Sequence, residues 1–279
     1  MDQDAALIRL AVLGRPVKHS HSPWIHAQFA GQAGLPLDYQ AIEVAPNHLS
    51  RVVQQLADSG AHGCNITLPH KQQAFALASL AGERARIAAS ANTLVFESAR
   101  RWRAENTDGP GLLRDLLENQ RLAVAGRSVC VIGAGGAAAG ILYDLLLRKP
   151  ASLSVLNRSA EHARALALRL SPHGKIAAGG LDENNAQGYE LLIHASAAGH
   201  HGSAPLLVES WFAQDGFCYD LNYGPAHLAL AQWCADRGIA CADGLGMLVE
   251  QAAESFEIWT GFQPETVPVT QALRARLGR

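Results

Sequence analysis

Polar side chains that could bind a small molecule follow several apolar stretches in the first third of the chain. Ser20 and Ser22 lie in a His-Ser-His-Ser-Pro loop after one such stretch, and Asn65 and Thr67 alternate along another. That spacing of two puts both side chains on one face of a strand, with Lys71 at its exit. Each of these residues alone is more typical of a turn or a helix cap. Strand ends are where a site would be built, so we treat the group as a candidate binding site.

Two further polar motifs follow, Ala-Asn-Thr around Asn92 and Asn-Thr-Asp-Gly around Asp108. They add a carboxylate to the amides, the hydroxyls and the ammonium of Lys71. A Lys–Asp pair is also a common structural ion pair, and that interpretation is preferred if the two residues are considered without their neighbours.

A glycine-rich turn follows the apolar run Val129–Ile132 and leads into a predicted helix. Gly133, Gly135 and Ala138 match the Gly-x-Gly-x-x-Gly/Ala fingerprint of dinucleotide-binding proteins. The first glycine permits a tight turn, the second lets the backbone approach a pyrophosphate, and the small third residue lets helix pack on strand. The helix N-terminus then attracts the phosphates. A glycine-rich turn without a ligand is the alternative. The predicted cofactor turn consists of Gly133, Ala134, Gly135, Gly136 and Ala137.

The residues after the next predicted strand discriminate between the two nicotinamide dinucleotides. About 20 residues past the glycines, NAD enzymes commonly place Asp or Glu against the ribose 2′-hydroxyl. This chain has Asn157, Arg158 and Ser159 there. A carboxylate would repel the 2′-phosphate of NADP, whereas a guanidinium can bind it through two parallel hydrogen bonds. The sequence therefore favours NADP over NAD, and a solvated Arg158 at a helix entry is the alternative.

Composition and charge argue against several classes of protein. The 279 residues include 23 Lys and Arg and 25 Asp and Glu, a net charge of -2 without a block of like charges. Nucleic acid is therefore not expected as the main partner. No signal peptide and no membrane-spanning run is predicted, so we expect a cytoplasmic protein. The five cysteines form no Cys-x-x-Cys pair and are predicted to be reduced core residues, with a redox or ligand role as the alternative. No metal site is predicted.

Short apolar runs alternate with helical stretches along the chain, which is the pattern of an α/β protein. In the first third, strands are predicted at Ile8–Leu13, Tyr39–Val44, Cys64–Leu68 and Thr93–Phe96. The helices between them are predicted at Ser22–Ala33, Asn47–Ser59 and Gln72–Leu80.

A second block begins near Asp108 and alternates strands with crossover helices. Its predicted strands are Arg127–Ile132, Leu153–Leu156, Lys175–Ala178, Tyr189–Ala195, Phe217–Leu221 and Ile239–Ala242. Helices are predicted at Gly111–Asn119 and Ala137–Leu147. From Gly246 onward the chain is predicted to be helical, with one break at Gly261–Pro264. This succession predicts a parallel, doubly wound sheet.

Taken in order, the motifs resemble the shikimate dehydrogenase family over nearly the whole chain. The most distinctive are Asn-Ile-Thr-Leu-Pro-His-Lys at 65–71 and Asp-Gly-Leu-Gly-Met-Leu at 243–248. The Ser-x-Ser-Pro loop, Asn-Thr, Asn-Thr-Asp-Gly, the glycine turn, Asn-Arg and Tyr-Asp-Leu-Asn-Tyr complete the set. The resemblance implies that shikimate is held by Ser20, Ser22, Asn65, Thr67, Lys71, Asn92, Asp108, Tyr223 and Gln251. On the cofactor side it adds His162, Ser196 and Gly244.

The resemblance implies reversible NADPH-dependent reduction of 3-dehydroshikimate to shikimate, a step of aromatic amino-acid (chorismate) biosynthesis. In that reaction the Lys71 ammonium would polarise the ketone and donate a proton, and Asp108 would orient Lys71 and the reacting hydroxyl. The resemblance also implies an α/β substrate domain, residues 1–107 plus 245–279, and a Rossmann NADP-binding domain, residues 108–244. The C-terminal helices would fold back onto the first domain. We expect a monomer or a homodimer.

The cofactor half departs from the family pattern, whereas the substrate half is intact. His162 stands where NADP-binding members usually carry a second Arg or Lys, and Arg164 follows two residues later. His194 replaces an Asn in the segment 193–199, near the nicotinamide, and the loop 223–227 is shorter than usual. One hypothesis is therefore a divergent paralogue, such as a quinate/shikimate dehydrogenase that uses NAD. Another is a non-catalytic protein that binds shikimate-like acids.

Overall fold

The computed structural model describes residues 6–183, 188–196 and 207–278. The chain divides into two units. The first unit contains the residues up to Gly111 together with those from Val249 onward, and the second unit is Leu112–Leu248. In the described ranges, every helix is too short or too polar to cross a membrane.

The first unit contains a six-stranded mixed sheet with the strand order β2-β1-β3-β5-β6-β4. β1 is parallel to β2 and β3, β5 is antiparallel to β3 and β6, and β4 is parallel to β6. Because β1 and β3 run in the same direction, their carboxyl ends lie side by side, and the segments that follow them begin close together. The strands are β1 (Ile8–Gly14), β2 (Leu37–Glu43), β3 (Gly63–Ile66), β4 (Leu80–Ala81), β5 (Thr93–Ser98) and β6 (Arg101–Glu105).

Helices cover this sheet, and their ends follow local sequence signals. α1 has a proline in its first turn and ends at Gly34, whose φ of 66° is in the left-handed region that favours glycine. Leu49 and Val53 of α2 are fully buried against Leu13 and Leu94 of the sheet. The helices of this part of the chain are α1 (Ser22–Ala33), α2 (Leu49–Asp58), α3 (Lys71–Leu77), α4 (Glu83–Ala88) and α5 (Asp108–Arg114). A π-helical turn, Asp115–Asn119, continues α5.

The second unit contains a six-stranded sheet in which every pair of neighbouring strands is parallel. Its order is β12-β11-β10-β7-β8-β9. Counted within the unit, this is the 3-2-1-4-5-6 order of the Rossmann fold, read from the other edge. The strands are β7 (Ser128–Ile132), β8 (Ser152–Asn157), β9 (Ala177–Gly180), β10 (Tyr189–His194), β11 (Phe212–Asp220) and β12 (Ala240–Ala242). The predicted doubly wound parallel sheet is confirmed.

Crossover helices connect these strands, as parallel pairing requires. They are α6 (Gly136–Leu147), α7 (Ala160–Leu170) and α8 (Leu228–Ala235). The central strands are apolar on both faces: Val129, Cys130 and Val131 of β7 have no exposed surface.

Two helices end the chain, α9 (Leu245–Thr260) and α10 (Thr266–Arg276). The Gln32 side chain of α1 donates to the carbonyl of Glu265 (3.0 Å) and accepts from its N–H (2.8 Å). Ser255 of α9 contacts the strand residues Asn65 and Thr93. The predicted return of the C-terminal helices to the first domain is therefore confirmed.

Most of the predicted elements overlap the observed ones, and the differences have local causes. β6 was not predicted because three of its five residues are charged, although Trp102 and Ala104 alternate as buried residues along it. The short elements β4 and α4 were also missed. β9 starts at Ala177 rather than Lys175, and β11 starts at Phe212, five residues before the predicted Phe217.

Candidate active site

Lys71 and Asp108, both in the first unit, form a close ion pair. Lys71 is the first residue of α3 and Asp108 the first of α5. The Lys71 ammonium donates to Asp108 Oδ2 at 2.5 Å. The side chains are 16% and 5% exposed respectively, so the pair is largely sheltered from water. Within the ion pair, the ammonium retains donors that can serve a second acceptor.

Asn92 fixes the other oxygen of that carboxylate. Its side-chain amide donates to Asp108 Oδ1 (2.9 Å), Thr107 Oγ1 (2.8 Å) and Gln251 Oε1 (3.1 Å). Its Oδ1 accepts from the N–H of Thr107 (2.9 Å). Asn92 therefore joins three of the predicted substrate residues, Lys71, Asp108 and Gln251, into one network.

The start of α3 is held by its preceding residues. His70 is buried, and its Nε2–H donates to the carbonyl of Val44 at 2.8 Å. The carbonyl of Lys71 accepts from the N–H of Ala91 (2.9 Å), one residue before Asn92. These bonds position the Lys71 backbone beside the segment that carries Asn92.

Asn65 lies in a second, adjoining network. Its Oδ1 accepts from the Tyr39 hydroxyl (2.6 Å), and its amide donates to Thr93 Oγ1 (3.2 Å) and Ser255 Oγ (3.1 Å). Burial raises the pKa of the Tyr39 phenol, which keeps it a donor. Among these partners, Thr93 belongs to the Ala-Asn-Thr motif around Asn92. Tyr39 and Ser255 had no sequence signal, since an isolated Tyr in a strand and a Ser in a helix are unremarkable.

Ser20, Ser22 and Thr67 lie on the segments that leave β1 and β3. The Ser20 hydroxyl donates to Ser22 Oγ (3.1 Å) and accepts from the Ser22 N–H (3.2 Å), so the two hydroxyls are adjacent. Thr67 follows β3 and packs on Gly14. A Cβ at Gly14 would stand 2.3 Å from Thr67 Cγ2, so a glycine is needed there.

The glycine turn of the second unit connects β7 to α6. Gly133 has a φ of 119°, and a Cβ there would lie 2.9 Å from the carbonyl oxygen of Ala195. Gly135 precedes the first residue of α6, and a Cβ there would meet nothing within 4 Å. Ala138 is fully buried where α6 packs on the sheet. The turn thus offers an open approach to a helix N-terminus, which fits the pyrophosphate of a dinucleotide.

Arg158 lies exposed after β8, at the position predicted to meet the 2′-phosphate. The Asn157 side chain donates to the carbonyl of Ser159 (3.1 Å), which orders the turn into α7. His162 is exposed in the first turn of α7. Arg164, the other nearby cation, is paired with Glu183 at 2.6 Å. Within the described residues, neither Arg158 nor His162 has an ion-pair partner.

His194 stands at the end of β10 in a buried polar chain that the sequence did not predict. Its Nδ1–H donates to Asp220 Oδ1 (2.9 Å), and its Nε2 contacts the Ser196 hydroxyl (2.8 Å). The Nδ1–H of His227 donates to Asp220 Oδ2 (3.0 Å). Burial alone would raise the pKa of Asp220, but the hydrogen bonds from both histidines outweigh it and lower the pKa to about 2. Ser196, a predicted cofactor residue, is thus held by His194. Residues 197–199 of this motif lie outside the described residues.

The two remaining predicted residues of the second unit are Tyr223 and Gly244. Tyr223 follows β11 and is half-buried, and burial raises the pKa of its phenol. Gly244 precedes α9 and is buried, and a Cβ there would lie 2.3 Å from the carbonyl oxygen of Leu221. Close backbone packing is therefore sufficient to require a glycine at 244.

The fold and these two sets of residues define a class, the two-domain α/β oxidoreductases with a Rossmann-type dinucleotide unit. Three family models match the chain. They are the shikimate dehydrogenase substrate binding domain at residues 12–94, shikimate / quinate 5-dehydrogenase at 115–207, and the shikimate 5′-dehydrogenase C-terminal domain at 244–274.

Individual proteins agree with the family models. Shikimate dehydrogenase (NADP(+)) of Thioalkalivibrio sulfidiphilus (strain HL-EbGR7) is 43% identical over 95% of this chain and 98% of its own length. The crystal structure of an Ael1 enzyme from Pseudomonas putida has a TM-score of 0.87 at 37% identity, over 95% of this chain and 98% of its own. Shikimate 5-dehydrogenase from Thermus thermophilus, in complex with NADP(H) and shikimate, has a TM-score of 0.83 at 29% identity. The match covers 96% of this chain and 99% of that one. The chain belongs to the shikimate dehydrogenase family.

Proposed function

We propose that this protein catalyses the reversible NADPH-dependent reduction of 3-dehydroshikimate to shikimate. The observation that carries the proposal is the Lys71–Asp108–Asn92 network, which presents an ammonium and several amides and hydroxyls in a sheltered part of the first unit. A small polyol acid needs many hydrogen-bonding partners and little net charge in its site. This group of residues supplies both.

Lys71 is proposed as the proton donor in the direction of reduction. Bound NADPH would supply the hydride. The ketone oxygen then gains negative charge, which an ammonium at hydrogen-bonding distance stabilises and protonates. Asp108 holds Lys71 on one oxygen and is itself held by Asn92 on the other, so the ammonium keeps one orientation. In oxidation the neutral lysine would accept the proton from the hydroxyl.

The remaining substrate residues are proposed to bind and orient. The adjacent hydroxyls of Ser20 and Ser22 would receive the carboxylate, and Asn65, Thr67 and Gln251 would bind hydroxyls. Tyr223 is proposed as a further substrate-binding residue.

The second unit is proposed to hold the cofactor. The glycine turn would receive the pyrophosphate, and Arg158 the 2′-phosphate of NADP. Asn157, Ser159 and His162 would line the same end, and Ser196 and Gly244 would lie near the nicotinamide. We propose residues 1–107 plus 245–279 as the substrate domain and 108–244 as the cofactor domain. A cytoplasmic monomer or homodimer, without nucleic-acid partners, completes the proposal.

The direct test follows the absorbance of reduced nicotinamide with shikimate or quinate, each with NADP or NAD. We expect the highest kcat/KM with shikimate and NADP. Lys71→Ala should lower kcat on the order of 10²–10⁴-fold, the usual contribution of a proton donor. Lys175→Ala, which removes an exposed lysine of the second unit, is the matched control and should leave kcat unchanged.

One observation favours a second candidate, a quinate/shikimate dehydrogenase that uses NAD. Arg164 is engaged by Glu183, which leaves Arg158 with only the histidine His162 to share a phosphate. Higher kcat/KM with NAD, together with turnover of quinate, would establish that alternative. Calorimetric binding of shikimate without turnover in any combination would instead establish a binding protein and refute the enzyme proposal.

A further inference from the structure

Three of the five cysteines converge in the second unit. Cys218 lies on β11, Cys234 on α8 and Cys241 on β12. Their sulfur atoms all lie within 4.8 Å of one another, and all three are free thiols. We call these residues the thiol cluster. The proposed dehydrogenase reaction makes no use of them.

The cluster is built on regular elements, so its geometry is fixed by the fold. Cys218 and Cys241 are directly paired in the parallel register of β11 and β12, which places both side chains on the same face of the sheet. Cys234 approaches from α8. The carbonyl of Cys234 accepts from the N–H groups of Arg237 and Ile239, both at 3.0 Å, which fixes the short turn between α8 and β12.

The spacing of the sulfurs suits a thiophilic cation. Zn–S bonds of about 2.3 Å in a tetrahedral site place neighbouring sulfurs roughly 3.8 Å apart. An upper bound of 4.8 Å is therefore within about 1 Å of the bound geometry, a distance that side-chain rotation can close. Three thiolates leave one position for water, and soft sulfur ligands select zinc, cadmium or copper(I) over magnesium or calcium.

The thiolate is the form of cysteine that binds metals. A cation bound by the three sulfur atoms would therefore displace their protons, so that binding releases protons and strengthens as the pH rises.

The surroundings provide an apolar shell and a route of entry. Cys218 and Cys234 are buried in an apolar cluster that includes Trp211, Phe212 and Trp233. Cys241 is only partly buried and lies on β12, one of the two edge strands of the described sheet. An ion can therefore reach Cys241 first and then the two buried sulfurs.

We propose that Cys218, Cys234 and Cys241 form a binding site for a single thiophilic d¹⁰ cation, with zinc(II) and cadmium(II) as its probes. The site is separate from the dinucleotide turn and from the Lys71 network in sequence and chemistry. Its occupancy would stabilise the folded second unit, because a ligand that binds only the native state raises its stability.

The test is a titration of the reduced, chelator-treated full-length protein with cadmium(II), followed by the ultraviolet sulfur-to-cadmium charge-transfer band. We expect a band that saturates at one equivalent and is displaced by competing zinc(II). Cys234→Ser should weaken cadmium binding by at least roughly tenfold, since even loss of an outer partner of a ligand costs 10–100-fold. Cys130→Ser is the matched control, because Cys130 is buried in the same apolar cluster but does not belong to the thiol cluster.

Circular dichroism checks that each variant folds. A second variant, Cys241→Ser, changes the least buried of the three cysteines. Thermal unfolding with and without zinc(II) gives an independent readout, with a rise in Tm expected for the wild type and for Cys130→Ser but not for Cys241→Ser. The proposal is overturned if the wild type shows no cadmium–thiolate band. It is equally overturned if Cys130→Ser loses the band as completely as Cys234→Ser, or if Cys234→Ser and Cys241→Ser retain wild-type affinity. None of these results would bear on turnover of shikimate.

Discussion

Asp108 binds two side chains of the first unit at once, Lys71 through one oxygen and Asn92 through the other. Asp108→Asn keeps the size of the side chain but removes the charge that holds the ammonium. We expect kcat to fall roughly 10²-fold, the effect of a small displacement of a reacting group, with a smaller change in the KM for shikimate. Steady-state kinetics on both parameters checks this. Asp58→Asn, at an exposed position of α2, is the control, and an equal loss in both variants would contradict the role of Asp108.

Arg158 and His162 decide the choice of cofactor in this proposal. Arg158→Ala should raise the KM for NADP about 10–100-fold, the contribution of hydrogen bonds to a charged group, and leave the KM for NAD nearly unchanged. Arg148→Ala, an exposed arginine at the end of α6, is the control. Equal effects on NADP and NAD would show that Arg158 does not meet the 2′-phosphate.

His162→Arg is the complementary gain-of-function variant. A guanidinium at this exposed position of α7 would restore the second cation that the family pattern usually has. We expect kcat/KM to increase with NADP and not with NAD, because only NADP carries the extra phosphate. Kinetics with each cofactor in the same preparation measures the ratio, and an unchanged ratio would place residue 162 away from the phosphate.

At the scale of elements, two glycines of the turn between β7 and α6 have different surroundings. A Cβ at Gly133 would collide with the backbone of Ala195, so Gly133→Ala should destabilise the fold itself. A Cβ at Gly135 meets no protein atom within 4 Å, and the backbone there has an ordinary negative φ of -84°. In the proposed function, the glycine at 135 is explained by the approach of the pyrophosphate and not by packing within the protein.

Gly135→Ala should accordingly fold normally and bind NADP poorly. We expect a Tm close to that of the wild type and a Kd for NADP raised at least about tenfold, because the added methyl occupies the approach of the pyrophosphate. Calorimetry and thermal unfolding measure the two quantities. Gly31→Ala, another open position but within α1, should leave the Kd unchanged. Unimpaired NADP binding by Gly135→Ala would refute the assignment of this turn.

At the scale of the whole molecule, each unit contains a buried group that makes stability depend on pH. In the first unit His26 is fully buried and stacks on Tyr39 with ring centroids 4.4 Å apart. Burial lowers the pKa of His26 from 6.5 to about 3. The unfolded chain therefore binds a proton more readily than the folded chain does. The contribution of neutral His26 to the free energy of unfolding is complete above pH 6.5 and is lost as the pH falls towards 3.

His26→Phe should remove that dependence. At pH 5 the wild type should have lost about 2 kcal/mol relative to pH 7 through this histidine alone. The variant keeps an aromatic ring in the cluster and should lose correspondingly less. Denaturant unfolding at pH 7 and pH 5 gives the change in the free energy of unfolding for each protein. An equal loss in the wild type and in the variant would contradict a buried neutral histidine at position 26.

In the second unit, Asp220 makes the stability depend on pH in a lower range than His26 does. Its pKa is about 2 in the folded protein against 3.8 for an ordinary aspartate. The stability it adds is therefore present above pH 3.8 and is lost as the pH falls through 2. We expect Asp220→Asn to cost about 2 kcal/mol at pH 7 and progressively less below pH 4, measured by denaturant unfolding. A cost that does not change with pH would show that the charge on Asp220 is not what His194 and His227 stabilise.

The sequence alone determined the features that neighbouring residues carry. The spacing of apolar residues indicated strands and helices, and the fingerprint at Gly133 and Gly135 indicated the strand-turn-helix of a dinucleotide site, because a turn and the helix it starts are local structures. Ser22–Ala33 was predicted with the bounds that the structure has, and the proline in its first turn and the glycine that follows it are local features of the sequence. The charged strand β6 shows the limit, because its burial depends on its neighbours in the sheet and not on its own residues.

Only the tertiary structure decided which distant residues meet. Ser255 contacts Asn65 across 190 residues of sequence, and Asn92 meets Gln251 across 159. His194 and Asp220 face each other because β10 and β11 pair in one register, and the same kind of register aligns Cys218 with Cys241. Strand register follows from the packing of a whole sheet, which leaves no trace in the spacing of the residues that it brings together.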